Sequence, residues 1–247
     1  LQKLLTLLLG LSFLYFFGYE SIIFALSLTY IFHFKRVIEI FKENKIKFEL
    51  VRTRIGFISN NYLVSILAVS AGQIDKIVIA PILGFAILGN YSLALQAINI
   101  TLLIPSIFYK YLLPEEASGS DTKKIKIIVI LISILLSIFS FFISPIIITE
   151  FFPKFNEAID AIKIMSIVII PSTIALIIES EFLGQEKSKI VMIGSLMYLV
   201  SLTIGMISLG SLFGVEGIAY SLIISTILKT ALYGIFRNKI RISNNSS

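Results

Sequence analysis

The stretch QIDKIVIAPILGFAILGNYSLALQAIN, from Gln73 to Asn99, decides how the chain is read. It opens on Gln73, Asp75 and Lys76, runs apolar through Pro81, meets Gly84 and Gly89, and turns apolar again after Tyr91. A helix that starts at Arg54 reaches Asp75 after a climb of roughly 30 Å at 1.5 Å per residue. The polar triplet is therefore expected near the far edge of a hydrocarbon layer, where a charge costs less than at the midplane. Pro81 and Gly84 are expected to end that helix, Phe85 to Asn90 to make a turn, and Tyr91 to open the next helix at the membrane interface.

The rest of the chain agrees with a membrane setting. Hydrophobic residues make up 57% and charged residues 15% of the 247 positions. The mean hydropathy is +0.95. A soluble domain has too little interior for that much apolar surface. Helices of about 20 residues cross a bilayer, and inside lipid the backbone must satisfy its own hydrogen bonds. The short alternating segments of a β-barrel are missing. The fold expected is all-α and polytopic, with about eight transmembrane helices at 4–18, 20–35, 55–82, 86–110, 125–149, 158–182, 190–210 and 215–236.

Charge sorts the loops. When loops are numbered alternately, 18 of the 21 Lys and Arg fall on one side, and only Lys76, Lys154 and Lys163 on the other. Positive loops stay in the cytoplasm, so both termini are expected there and the location is the cell membrane. The same sorting discounts a nucleic-acid role for the net charge of +6. No cysteine is present and His33 is the lone histidine, which removes disulfides, thiolate metals and histidine clusters. No cofactor is expected. The organisation expected is two helices in 1–35, a cytoplasmic amphipathic linker at 36–54, a six-helix bundle at 55–236 and a cytoplasmic tail at 237–247. Residues 114–124 read as a polar loop. The chain opens on Leu1 within an apolar run, as expected of the later part of a longer protein.

The order of motifs resembles that of the polysaccharide and oligosaccharide flippases in the multidrug/oligosaccharidyl-lipid/polysaccharide exporter superfamily. The residues that carry the likeness are Gln73, Asp75-Lys76, Leu83-Gly84 and Gly89-Asn90-Tyr91-Ser92-Leu93-Ala94. Further along are FFPKFNEAIDAIKIMSIVIIPS, ESEFLGQEKSKIVMIGS and the Gly214, Gly217, Ala219 pattern of GSLFGVEGIAYSLIIS. The resemblance implies the end of a first helical bundle followed by a complete second one. It also implies a flippase, not an enzyme, that moves a polyprenyl-phosphate-linked oligosaccharide through a cationic cavity by alternating access. The partners implied are the lipid bilayer, the lipid-linked glycan, and H⁺ or Na⁺ as coupling ion.

On that reading Lys76 and Lys163 would bind the anionic headgroup, with Gln73 and the amides Gln96 and Asn99, expected to be buried on one helix face. Asp75 would carry the coupling ion. Asp160 stands three residues before Lys163 and could pair with it. Glu179 and Glu181 are expected at the interface, and Pro105 and Pro171 to kink their helices. Two other readings fit the sequence: a cation-coupled drug or metabolite antiporter of the same superfamily, and a non-transporting remnant or assembly subunit. A membrane-embedded transferase is disfavoured, because the loops on the less basic side are only a few residues long.

Overall fold

The computed structural model describes residues 2–18, 24, 27–28, 38 and 52–245. The span expected at 20–35 and most of the linker at 36–54 lie outside the described residues. The chain divides into two units, Leu1–Arg54 and Ile55–Ser247. The first contains α1 (Gln2–Phe17), whose 16 residues are fewer than the length of about 20 that crosses a bilayer.

The second unit is helical throughout its described residues. Its elements are α2 (Ile55–Leu83), α3 (Phe85–Ser118), α4 (Lys123–Phe151), α5 (Glu157–Ser166), α6 (Ile169–Gly184) and α7 (Ser188–Asn245). Four helices, α2, α3, α4 and α7, are long and apolar enough to cross a membrane, and the bent pair α5–α6 makes up to five.

Helix α4 shows which solvent the unit is built for. Ser133, Ser137, Ser140 and Ser144 lie buried on one face, while Leu131, Leu135, Ile138, Phe142 and Ile146 stand exposed on another. Both sets repeat at helical spacing. Small hydroxyls inside and large apolar groups outside reverse the pattern of a water-soluble helix. They suit one that packs closely on its neighbours and faces lipid.

The turn between α2 and α3 is tighter than the sequence suggests. Gly84 alone makes it, with φ 93 and ψ 164, and α3 begins at Phe85. A left-handed glycine reverses the chain in one residue, so no segment from 85 to 90 is needed as a loop. Tyr91 accordingly does not open α3 but lies inside it, buried in the core cluster that includes Ile79, Ile98 and Met206. The loop expected at 114–124 also shrinks. Helix α3 continues to Ser118 through Pro114, and α4 starts at Lys123. At the other extreme, α7 reaches Asn245 and takes in most of the expected tail.

Pro171 gives α5–α6 its bend of 44°. Lacking an N–H, it cannot bond the Ile167 carbonyl. The chain between the two helices adopts tighter bonds instead, Ile167 N–H to Ile164 and Val168 N–H to Met165. The Ser137 hydroxyl of α4 donates to the Ser166 carbonyl at 2.8 Å, across the break.

Helix α7 folds back on itself. Gly214 breaks it with φ 59 and ψ −131. Its two arms then meet at small residues, Gly194 against Tyr233, Gly205 against Ser221 and Gly210 against Ile218. Side-chain contacts define the two ends of the unit. Glu116 of α3, Lys126 of α4, Glu181 of α6 and Arg237 of α7 are ion-paired at one. At the other, Asn90 of α3 donates to Glu157 of α5, and Ile87, Glu157 and Glu216 wall one cavity with Gly214. The chain thus runs from end to end in α3, in α4, in α5–α6 and in each arm of α7.

Candidate functional site

Glu179 and Glu181 occupy alternate positions near the end of α6, so their side chains leave the helix in different directions. The sequence places both at an interface. Each is the centre of a part-buried ionic group, and that of Glu181 lies at one end of the unit.

Glu179 faces the second arm of α7. Its Oε2 lies 3.1 Å from Lys229 Nζ, and the two side chains are 13% and 20% exposed. The Tyr233 hydroxyl approaches the same oxygen at 3.5 Å and the Val191 carbonyl at 3.1 Å. The Lys229 ammonium sits 5.4 Å from the Tyr233 ring centre and 6.0 Å from that of Tyr198. Aromatic faces attract a cation, and the more so out of water. Lys229 is 15 residues beyond Gly214, roughly 22 Å along the arm by helical rise. It belongs to the body of the bundle, not to a basic loop.

Glu181 is held more tightly. Arg237 grips it with a fork, Nε to Oε2 at 2.7 Å and Nη2 to Oε1 at 2.8 Å. Lys126 adds a contact of 2.6 Å to Glu181 and 2.7 Å to Glu116. Thr122 donates to Glu116. Two acids and two bases alternate, so the group is neutral and each carboxylate is satisfied.

Three cavities bear on function. One of about 690 Å³ is lined by Asn61, Ser65, Tyr109, Glu179 and Glu186 among apolar residues. A second of about 310 Å³ is lined by Tyr91, Asn99, Ser195, Tyr198 and Lys229. Ala68 of α2 lines both. The ion pair therefore stands between two cavities, with Glu179 facing one and Lys229 the other. The third, about 360 Å³, lies at the opposite end of the unit and is lined by Glu157, Asp160 and Glu216. The described residues hold no cluster of acids or histidines that suits a metal ion.

The residues singled out in the sequence are scattered over this frame. Lys76 donates to Gln73 at 2.9 Å on an exposed face of α2. Asp75 lies in α2, and its side chain is outside the described residues. Lys163 pairs with Asp160 at 3.4 Å, as the spacing suggests. Gln96 and Asn99 are exposed rather than buried, because the face of α3 that carries them turns away from the core. Asn99 lines the 310 Å³ cavity, whereas Gln73, Lys76, Gln96 and Lys163 lie outside all three. Pro105 is buried inside an unbroken α3.

Sequence reasoning named Glu179 but missed Lys229 as its partner. A signal for Lys229 was available: it sits inside an apolar run at a depth where a charge is costly unless it has work or a partner. Sorting it with the loop cations hid it. No known family, characterised protein or solved structure matches the chain.

Proposed function

We propose that the protein is a multi-pass membrane exporter of the flippase kind, which moves a lipid-linked oligosaccharide on a polyprenyl phosphate for surface polysaccharide synthesis. The observation that carries this reading is Lys229, a cation at membrane depth on the wall of a cavity that Asn99, Ser195 and Tyr198 share with apolar residues. A phosphorylated glycan cannot cross hydrocarbon, since an ion loses far more hydration free energy there than a neutral group. A cationic, hydrogen-bonding cavity between helices lowers that barrier while the lipid tail stays in the bilayer. Rocking of helical bundles would expose the cavity to each side in turn.

In this reading both arms of α7 cross the membrane, and so does α5–α6. With α2, α3 and α4 that makes six spans, and those expected at 4–18 and 20–35 raise the count to about eight. The end that holds Arg237, and both termini, face the cytoplasm of a cell whose plasma membrane contains the protein. Lys76, Lys163, Gln73 and Gln96 serve the outer approach of the headgroup, and Asn99 the cavity itself. Asp75 carries H⁺ or Na⁺. The protein performs no covalent chemistry.

One observation favours a second reading. Glu179 is a part-buried carboxylate on a 690 Å³ cavity, the kind of acid a cation-coupled drug or metabolite antiporter uses. Proteoliposomes separate the two. A fluorescent polyprenyl-phosphate glycan should become accessible to an impermeant quencher faster than in protein-free vesicles. Lys229→Gln, Lys76→Ala and Lys163→Ala should each slow it. No acceleration, together with proton-coupled efflux of a lipophilic cation, overturns the flippase in favour of the antiporter.

A further inference from the structure

We infer that Glu179 is an internal stand-in for a phosphoryl anion: it holds Lys229 while the 310 Å³ cavity is empty and yields it when a phosphate or pyrophosphate group enters. The inference rests on the flippase reading for the ligand's lipid tail, but its own basis is the contrast between two ionic groups in one bundle. Glu181 is bound by a two-pronged arginine and a lysine at 2.6–2.8 Å. Glu179 is bound by one lysine contact at 3.1 Å through one oxygen. Bidentate, short, charge-assisted bonds resist exchange, while a single longer one with a point-charge ammonium exchanges readily.

The surroundings suit an exchange. Lys229 is the only charged residue on its cavity among the described residues. Asn99 and Tyr198 line the same wall and carry groups that can donate to phosphoryl oxygens, while the Ser195 hydroxyl there bonds Tyr233. The volume is at the lower end of ordinary ligand sites, enough for a phosphoryl or pyrophosphoryl group but not for a whole glycan. Glu179 does not become stranded when Lys229 turns away. The Tyr233 hydroxyl can turn its proton from the Val191 carbonyl to Glu179, which also borders the wider cavity where water can reach it. The two tyrosine rings are near enough to attract the ammonium whichever anion it faces.

The test is equilibrium binding of radiolabelled dodecyl phosphate to the full chain in dodecyl maltoside. Removing the competitor should tighten binding: Glu179→Gln by about tenfold or more, the size of a hydrogen bond to a charged group. Lys229→Gln should weaken it by a similar factor, and the double variant should match Lys229→Gln. Lys189→Gln, on an exposed position, should bind like the parent. Glu179→Asp keeps the charge but draws it back by one methylene, and should tighten binding less than the glutamine. It stands in if Glu179→Gln does not fold. Competition by inorganic pyrophosphate marks the phosphoryl group itself as the ligand, and its absence marks the lipid form; either upholds the exchange.

Folded Glu179→Gln and Glu179→Asp that bind no tighter than the parent overturn the inference, as does unchanged binding by Lys229→Gln. Glycan-lipid movement undiminished in Lys229→Gln also sinks it and leaves transport standing. Lys229-dependent binding without such movement sinks transport and leaves the exchange.

Discussion

The Tyr233 hydroxyl donates to the Val191 carbonyl at 3.1 Å, although 42 residues separate them within one helical element. A straight helix would hold them roughly 63 Å apart. The bond therefore records a hairpin, and with it the placement of Lys229 against α6. The Tyr233 ring that stabilises the ammonium is fixed by the first arm and supplied by the second.

The hairpin depends on two glycines for different reasons. Gly214 has φ 59, where a side chain is strained. At Gly217 a Cβ would run into the Leu209 carbonyl. Gly217→Ala should cost about 1–3 kcal/mol, because backbone and not a flexible side chain must give way. Gly234→Ala, where a Cβ meets open space, should be nearly neutral. Thermal unfolding of the purified variants in detergent reads the difference. A Gly217→Ala protein as stable as its parent would mean that the arms do not approach so closely.

The bend in α5–α6 offers a second check. Ser137→Ala removes the hydroxyl that reaches the Ser166 carbonyl. Ser137 and Ser166 are both buried, so the loss should be about 1–2 kcal/mol. Ser144→Ala, whose hydroxyl only returns to Phe141 of its own helix at 3.5 Å, should cost far less. Equal effects would show that the serine face matters for close packing alone.

These two elements also show where the sequence was legible. The apolar runs told the helix class and the ends of α4, because length and hydropathy are properties of a segment by itself. Pro171 was visible as a breaker for the same reason, though Pro105 lies in an unbroken α3. The one-residue turn at Gly84 was not, since only the backbone angle distinguishes a tight reversal from a six-residue loop. The ionic partners of Glu179 and Glu181 were not legible either, because depth along a helix does not reveal which side chains face it. Their partners, Lys229 and Arg237, lie 50 and 56 positions away. Gln96 and Asn99 erred the other way: their spacing told that they share a face, but not that the face turns from the core.

The Glu116–Lys126–Glu181–Arg237 group predicts an order of effects. Glu181 is 9% exposed and faces two cations, while Arg237 is 51% exposed. Glu181→Gln leaves Lys126 with Glu116 alone and Arg237 without its carboxylate, and should cost about 2 kcal/mol, the size of a hydrogen bond to a charged group. Arg237→Ala leaves Glu181 with Lys126 and should cost about 1 kcal/mol or less, since its outer part is screened by solvent. Thermal unfolding of the two variants checks the order, and the reverse order would mean that Arg237 rather than Lys126 carries the group.

The absence of cysteine from the sequence makes the passage of the chain directly measurable. Single cysteines at Ser120 and Asn238 fall at the end that holds the Glu181 group, while Lys154 and Phe213 fall at the end that holds Glu157 and Gly214. All four positions are exposed, so each cysteine is open to reagent. If the bundle crosses the membrane in the sense the basic residues require, an impermeant maleimide added to intact cells should label the cysteines at 154 and 213. Those at 120 and 238 should react only after permeabilisation. The pairing is the sharper half of the test, because it depends on α4 and on the second arm of α7 crossing completely. Labelling of 213 and 238 from the same side would mean that the second arm of α7 does not traverse the bilayer. Lys229 would then no longer lie at membrane depth. Labelling of all four with the sides exchanged would keep the architecture and invert the orientation, placing the Lys229 cavity nearer the outer face.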